Sequence, residues 1–145
     1  MTPRQRQHVQ QSFALVAPIA TQAAAIFYEQ LFERDPDLRR LFRGDMAAQG
    51  ERLMAMIGGA VQLLGQPARL DATLQALGRR HAGYGVRASH YDTVGAALLD
   101  TLAIGLGTQF TPEVRAAWTA LYAHISLTMQ SAAADVSAEP IAATV

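Results

Sequence analysis

The chain has 145 residues, a length that suits a single domain. Twelve basic and twelve acidic side chains give a formal net charge of zero, which offers no basic field for nucleic acid. All of the basic residues are arginine, so chemistry that needs a lysine amine is excluded. The absence of cysteine excludes disulfides, thiolate metal sites and iron–sulfur clusters. Half of the residues are hydrophobic, which is enough for a buried core.

Helical periodicity runs through almost the whole chain, and alternating strand patterns are missing. Thr2-Pro3 is a helix start, and Asp45 is placed to cap the long helix that follows the corner at residues 43–45. In chain order, the predicted helices cover about 3–17, 18–34, 36–42, 46–64, a stretch after Pro67 that ends at the glycine-broken Gly83-Tyr84-Gly85, a helix carrying Tyr91 to Leu102, and a last helix from Pro112 to about Gln130. The fold class is therefore all-α with about seven helices. The apolar pattern ends near Ser131, which predicts a domain over residues 1–132 and a flexible tail over 133–145.

Three polar residues lie on the apolar faces of three different predicted helices. His81 continues the stripe of Leu70, Leu74 and Leu77, Gln49 opens the stripe of the long helix, and Tyr28 lies among aliphatic side chains. Each one alone is typical of an ordinary core or helix-end residue. Together, one inward imidazole without a second strong ligand suits an iron porphyrin, which needs one axial nitrogen and an apolar slot. Zinc needs three or four ligands, and no such cluster is found in the sequence.

Four segments give the chain a family resemblance. They are Asp35-Pro36-Asp37-Leu38-Arg39-Arg40-Leu41-Phe42, Ala48-Gln49-Gly50-Glu51-Arg52-Leu53-Met54, Leu77-Gly78-Arg79-Arg80-His81-Ala82-Gly83-Tyr84-Gly85-Val86, and Phe110-Thr111-Pro112-Glu113-Val114-Arg115-Ala116-Ala117-Trp118. In this order they resemble segments of bacterial single-domain globins, of neuroglobin-like bacterial globins and of the haem domain of flavohaemoglobins. The resemblance covers about residues 5–130 and implies a three-over-three helical sandwich around haem b, iron protoporphyrin IX.

The resemblance also implies roles for individual residues. His81 matches the proximal iron ligand, and Tyr28 and Gln49 match distal residues that hydrogen-bond a bound gas. The expected haem contacts are Phe42, Leu53, Arg52 near a propionate, Leu77, Val86 and Tyr91. Because an amide is a poor ligand for ferrous iron, we expect a pentacoordinate ferrous form that binds O₂, CO and NO.

One departure from the flavohaemoglobins bears on function. Those proteins carry a reductase after the globin and set a tyrosine and a glutamate behind the proximal histidine. Tyr91 matches the tyrosine, but an ungapped count from Trp118 places Ala133 where the glutamate would be. Reversible oxygen binding, as in oxygen transport, is therefore the leading hypothesis. Nitric oxide dioxygenation by Tyr28 and Gln49, with a separate reductase, is the alternative, and a helical interaction or sensor domain ranks third.

The remaining expectations concern the other histidines and the setting of the protein. His8 is predicted to be solvated, His90 to lie in a cap region, and His124 to lie beside the apolar stripe of the last helix. No leader or membrane span is recognised, because polar residues and Pro18 interrupt the apolar runs. We therefore expect a cytoplasmic protein, a monomer or weak homodimer, without nucleic-acid or membrane partners.

Overall fold

A computed structural model describes the backbone of residues 1–83 and 86–144 and the side chains as far as Asp135. The six α-helices of this described part are α1 Pro3–Val16, α2 Ala20–Arg34, α3 Met46–Gln62, α4 Pro67–Ala82, α5 Ala88–Leu106 and α6 Pro112–Thr144. Short 3₁₀ turns cover Ala17–Ile19, Pro36–Leu41, Leu63–Gly65 and Gly107–Gln109. No strand is found in the described ranges, which confirms the all-α class.

Local signals explain where several helices begin. The Thr2 hydroxyl accepts a hydrogen bond from the Gln5 backbone amide, and the Gln5 side chain accepts one from the Thr2 amide, which completes a capping box. The Asp45 carboxylate accepts from the Ala47 amide at 2.9 Å and starts α3. Proline stands at the first position of α1, α4 and α6, where its missing amide hydrogen costs no helical hydrogen bond.

Two details of the predicted element order change. The segment expected as a short helix over residues 36–42 is a 3₁₀ turn that ends at Leu41, so the described chain has six α-helices and not seven. The last helix continues to Thr144, past Ser131, where the apolar pattern ends. Residues 133–144 therefore have helical backbone, and the flexibility of that segment stays a prediction. The Tyr84-Gly85 part of the predicted glycine break lies outside the described residues.

The core forms where the helices pack in pairs. α4 packs extensively on α6, α2 packs on α5 and α3, and α1 packs on α6. The largest fully buried side chains come from four different helices and are Trp118, Leu31, Leu74, Leu121 and Val9. α3 and α4 follow each other in the chain, but each packs mainly against other helices of the described structure. The two helices are thus held in place independently of each other.

Glycine permits two of these packing contacts. A Cβ atom at Gly50 would lie 2.9 Å from the Ala24 Cβ, so α3 crosses α2 closely at that point. A Cβ atom at Gly78 would overlap the backbone of Met129, so α4 and α6 touch backbone to backbone. These contacts fix the positions of the neighbouring residues Gln49 and His81.

A buried hydrogen bond joins α6 to α1. Trp118 Nε1 donates to Ser12 Oγ at 2.8 Å, and Ser12 Oγ donates to the His8 carbonyl at 2.7 Å. The His8 Nε2 atom is buried and has no hydrogen-bond partner in the described structure. The prediction that His8 is solvated is therefore wrong, because the packing of α1 covers this nitrogen.

The N-terminal helical stretch Pro3–Arg34 is long and apolar enough to cross a membrane by length and composition alone. This differs from the expectation that polar residues and Pro18 interrupt every such run. A core helix of a folded domain passes the same test, and α1 and α2 supply the core residues Val9, Phe27 and Leu31.

Candidate functional site

Tyr28 is the centre of an aromatic cluster at the junction of α2, the 36–41 turn and α3. Its ring centroid lies 5.3 Å from that of Phe42 and 6.0 Å from that of Phe32, and the Phe32 and Phe42 centroids are 5.6 Å apart. Edge-to-face and stacked contacts of this kind stabilise one arrangement of the rings. Two of the predicted site residues, Tyr28 and Phe42, are therefore in contact.

The Tyr28 hydroxyl keeps its proton in this environment. The residue is only 8% exposed, and burial raises the pKa of the phenol above its ordinary value of 10.0. The guanidinium of Arg52 lowers the pKa but is the smaller influence. No hydrogen bond to the hydroxyl is found among the described residues. Tyr28 is thus a neutral donor that remains available to a ligand.

Gln49 reaches the same junction but uses its amide elsewhere. It precedes Gly50, whose α-carbon faces Ala24 and the edge of the Tyr28 ring. Its Nε2 donates to the Arg43 carbonyl at 3.0 Å, across the corner between Phe42 and α3. In this arrangement the Gln49 amide stabilises the corner at residues 43–45. Its contact with a bound gas stays a prediction.

His81 lies in the last turn of α4, the helix that packs on α6. Its Nδ1 lies 2.7 Å from the Leu77 carbonyl oxygen, one turn earlier in the helix. Since a carbonyl can only accept, Nδ1 carries the proton, and the lone pair of the neutral ring belongs to Nε2. A backbone hydrogen bond of this kind orients metal-binding histidines and selects Nε2 as the ligand atom.

The other predicted contact residues divide into two groups by burial. Four of them are half-buried apolar side chains, which we call the slot residues: Phe42, Leu53, Leu77 and Val86. All four pack on the main core and still expose part of their surface. Tyr91 is instead 7% exposed, and its hydroxyl is buried without a hydrogen-bond partner in the described structure. Arg52 is exposed at the edge of the site.

Two small apolar cavities lie between α3, α5 and α6. Each has a volume of about 20 Å³, and Leu53 lines the first of them. Ile57, Leu98 and Trp118 line both cavities. A cavity of this size holds a water-sized or diatomic molecule, and its lining is apolar.

The remaining histidines have structural partners. His90 Nδ1 accepts from the Arg87 amide at 2.9 Å at the start of α5, which confirms its place in a cap region. His124 Nε2 lies 2.6 Å from Asp71 Oδ1 and links α6 to α4. Neither the Asp71 partner of His124 nor the Arg43 partner of Gln49 has a local sequence signal, so neither was predicted.

The donor set fits an iron porphyrin. His81 supplies one oriented imidazole nitrogen, the slot residues supply partly exposed apolar surface, and Tyr28 supplies a protonated hydroxyl without a partner in the described chain. No group of three or more histidine, aspartate or glutamate side chains able to hold a bare metal ion is found among the described residues. The described structure is thus all-α, and its donor set is compatible with a prosthetic group held through one histidine.

Comparison with known proteins places this class in a family. The globin family model matches residues 25–129, so the chain belongs to the globin family. It is 29% identical over 103 residues to a flavohemoprotein of Rhizobium meliloti and 30% identical over 103 residues to one of Bordetella pertussis. These matches cover 69% of this chain but only 26% of each relative, so the chain corresponds to about a quarter of their length.

Solved structures agree with the fold. A candidate nitric oxide dioxygenase from Rhodothermus marinus, engineered as a carbene transferase, superposes with a TM-score of 0.87 at 26% identity, covering 97% of this chain and 99% of that one. A hexacoordinated heme protein from an anhydrobiotic tardigrade superposes with a TM-score of 0.83 at 16% identity, covering 91% and 94%. The second likeness concerns the fold alone.

Proposed function

We propose that this globin binds haem b through His81 Nε2 and binds oxygen reversibly in the cytoplasm. The observation that carries the proposal is the 2.7 Å contact between His81 Nδ1 and the Leu77 carbonyl, which leaves Nε2 as the basic nitrogen. When bound, haem supplies a ferrous iron that takes up diatomic gases. The protein contributes the axial nitrogen, the apolar walls and a distal donor.

The apolar walls account for most of the proposed affinity for haem. A haem that hides on the order of 600 Å² of apolar surface gains roughly 15 kcal/mol at about 25 cal/mol per Å², before the entropy of association is subtracted. Phe42, Leu53, Leu77 and Val86 are half-buried and can supply such contacts without leaving the core. Arg52, the exposed chain neighbour of Leu53, would meet a propionate in this proposal.

The distal residues favour oxygen over carbon monoxide. Oxygen gains partial negative charge on binding ferrous iron, so a fixed hydrogen-bond donor stabilises it more than carbon monoxide. Tyr28 supports this role because burial keeps its phenol protonated. Gln49 becomes a second donor only if its amide leaves the Arg43 carbonyl, so we assign it the smaller effect.

The proposed resting ferrous form has five ligands. An amide such as Gln49 and a neutral phenol such as Tyr28 are both weak ligands for ferrous iron, so neither closes the sixth position. Oxygen then binds without first displacing a protein side chain. A low-spin, six-coordinate absorbance spectrum of the deoxygenated ferrous protein would contradict this assignment.

The test of the proposal is the variant His81→Gly. Protein purified with haem supplied is expected to show a Soret band, and His81→Gly is expected to lose the haem or its normal ferrous spectrum. Added imidazole should restore the spectrum, because it fills the space of the missing ring with the same nitrogen. His124→Ala is the matched control, since His124 binds Asp71 on the protein exterior. Full haem retention with unchanged ligand spectra in His81→Gly would overturn the proposal.

Nitric oxide dioxygenation is the second candidate, supported by the likeness to the Rhodothermus marinus protein. In that reaction one nitric oxide, one oxygen molecule and one electron give one nitrate ion, and the electron comes from a separate reductase. Tyr28 and Gln49 would hold the oxygen; Ala133, in place of a glutamate, counts against a dedicated enzyme. Sustained nitrate production with a supplied reductase would support this activity, and a single turnover would exclude it.

A further inference from the structure

The direction of the Tyr28 hydroxyl is fixed by ring contacts alone. The hydroxyl makes no hydrogen bond within the described structure, so no polar contact orients it. The phenol oxygen lies on the long axis of its ring, and its hydrogen prefers the plane of the ring. Because the ring torsion of a tyrosine is broad, the neighbouring side chains decide how the ring is tilted. Whatever holds the Tyr28 ring therefore also aims its donor.

Phe32 is the neighbour that stacks on the Tyr28 ring. The two centroids are 6.0 Å apart and the ring planes differ by only 22°. Phe27 and Phe42 instead meet Tyr28 edge to face, at 74° and 70°. Phe27 is buried, whereas Phe32 is half-buried and is one helical turn after Tyr28 in α2. Rotation of the partly exposed Phe32 ring would thus free the Tyr28 ring to tilt.

A guanidinium covers the Phe32 ring. Arg39 Cζ lies 4.7 Å from the centroid of that ring, and Arg39 belongs to the 36–41 turn and not to α2. A cation over an aromatic face is attracted by the electrons of the ring, and a planar guanidinium stacks on the ring as well. Neither of the ion pairs found in the described part of the chain includes Arg39. The contact with Phe32 therefore ties α2 to the 36–41 turn.

The backbone of Arg39 supports a second ring of the same cluster. Its carbonyl accepts a hydrogen bond from the Phe42 amide at 3.1 Å. The Phe42 ring in turn lies 5.6 Å from Phe32 and 5.3 Å from Tyr28, centroid to centroid. Leu38, which is 2% exposed, anchors the turn in the core. Arg39 thus stands on a fixed support and contacts the cluster through both its side chain and its backbone.

We propose that Arg39 is a positioning residue of the distal site, which holds the Phe32 ring and through it the direction of the Tyr28 hydroxyl. The inference rests on the proposed function, in which Tyr28 donates a hydrogen bond to bound oxygen. A hydrogen bond weakens steeply as its angle departs from linearity. A Tyr28 ring that is free to tilt therefore retains oxygen less firmly. Arg39 thereby prolongs the residence of oxygen without touching it.

Arg40 provides a matched comparison for this role. It follows Arg39 in the same turn and is equally exposed, but its guanidinium lies over no ring of the described structure. Both residues carry one positive charge at nearly the same place. A long-range effect of charge would be similar for the two, whereas the contact with Phe32 is specific to Arg39.

The first experiment measures gas release from the full chain loaded with haem. Stopped-flow absorbance follows release of oxygen and, separately, of carbon monoxide. We expect Arg39→Gln to release oxygen about threefold faster, with a smaller change for carbon monoxide. Arg39→Lys should retain most of the effect, because it keeps a cation at this position. Arg40→Gln should leave both release rates unchanged.

Double variants show whether Arg39 acts through the two rings. Arg39→Gln should not accelerate oxygen release further in a Tyr28→Phe background, because the donor that Arg39 positions is then missing. The same holds in a Phe32→Leu background, which removes the ring that Arg39 contacts. An Arg39→Gln effect of undiminished size in either background would overturn the proposal.

A second measurement observes Tyr28 directly and needs no haem. Fluorine NMR of the haem-free full chain, labelled with fluorotyrosine, gives a Tyr28 resonance that Tyr28→Phe identifies by its loss. Arg39→Gln should shift and broaden this resonance, since the ring then samples more orientations, and Arg40→Gln should leave it unchanged. Circular dichroism confirms that each variant is folded.

An unchanged Tyr28 resonance in Arg39→Gln would overturn the proposal. So would equal acceleration of oxygen and carbon monoxide release, or the same acceleration in Arg40→Gln. These outcomes differ from a failure of the proposed function. In that case the parent protein would lack a Soret band or would not bind oxygen, and the fluorine spectrum would still show whether Arg39 holds the Tyr28 ring.

Discussion

Aromatic rings enclose Tyr28, and its hydroxyl has no hydrogen-bond partner in the described structure. Replacing Tyr28 by Phe keeps the packing against Phe32 and Phe42 but removes the donor. We expect oxygen release to accelerate by about tenfold for each ~1.4 kcal/mol of lost stabilisation. Stopped-flow release measurements test this, with carbon monoxide as the internal comparison, since its release should change much less. Equal oxygen release rates in the two proteins would show that Tyr28 does not contact the ligand.

Sequence patterns could identify the residue types of the site but not all of their contacts. The stripe of α4 pointed to His81 because an imidazole interrupts a row of leucines, and the Leu77 carbonyl partner follows from helical spacing. The Gln49–Arg43 contact depends on how the corner at residues 43–45 folds. The burial of the His8 Nε2 atom depends on how other helices pack on α1. Long-range packing of this kind leaves no local signal in one sequence.

At Gly78, α4 and α6 pack so closely that no space is left for a side chain. An alanine there would place its Cβ on the Met129 backbone, which cannot move as a side chain can. We expect Gly78→Ala to lower the free energy of unfolding by about 2 kcal/mol and to weaken haem retention by moving His81. Urea denaturation and haem transfer to an acceptor protein measure the two effects.

Gly59→Ala is the matched control for that substitution. Gly59 lies inside α3, and nothing lies within 4 Å of a Cβ atom built there. The alanine should therefore raise the free energy of unfolding by up to about 1 kcal/mol, through helix propensity alone. If both variants behaved alike, the close approach of α4 and α6 would not be a real constraint.

The contact between α5 and α6 gives the fold a dependence on alkaline pH. The Tyr122 ring packs on Gly95, its hydroxyl donates to the Tyr91 carbonyl, and burial raises the pKa of Tyr122 far above 10. Above pH 10 the unfolded chain loses this proton while the folded chain keeps it, so stability falls as pH rises. The expected slope is up to about 1.4 kcal/mol per pH unit for this tyrosine.

Urea denaturation at pH 8, 10 and 11 measures that slope. Tyr122→Phe should be less stable at pH 8, because it lacks the hydrogen bond to the Tyr91 carbonyl, and its stability should fall less steeply above pH 10. The prediction fails if the variant and the parent protein lose stability in parallel.

At the scale of the whole molecule, haem binding and folding are coupled. The slot residues belong to the shell of the main core, so a ligand that covers them stabilises the folded chain and not the unfolded one. At free haem about a thousandfold above its dissociation constant, the expected gain is about 4 kcal/mol. The gain in the free energy of unfolding is measured by urea denaturation with and without haem. His81→Gly should reduce this gain. An unchanged midpoint in the parent protein would contradict the proposed site.

The order of elements was largely predictable because prolines, caps and helical periodicity act locally. Pro3, Pro67 and Pro112 mark three helix starts in the sequence, and all three begin helices in the structure. The close approaches at Gly50 and Gly78 were not predictable, since each requires two segments far apart in the chain to meet. The family resemblance implied the three-over-three helical sandwich, and single-sequence patterns did not.

The intrinsic fluorescence of Trp118 should report haem binding. It is the only tryptophan of the chain, it is 1% exposed, and it lines both small apolar cavities. An indole shielded from water emits at short wavelengths, so the haem-free protein should fluoresce with a blue-shifted maximum. Haem absorbs at the wavelengths where tryptophan emits, and loading should therefore quench the emission in proportion to occupancy. Titration of haem into the unlabelled protein, followed by fluorescence, would then report binding through a single residue.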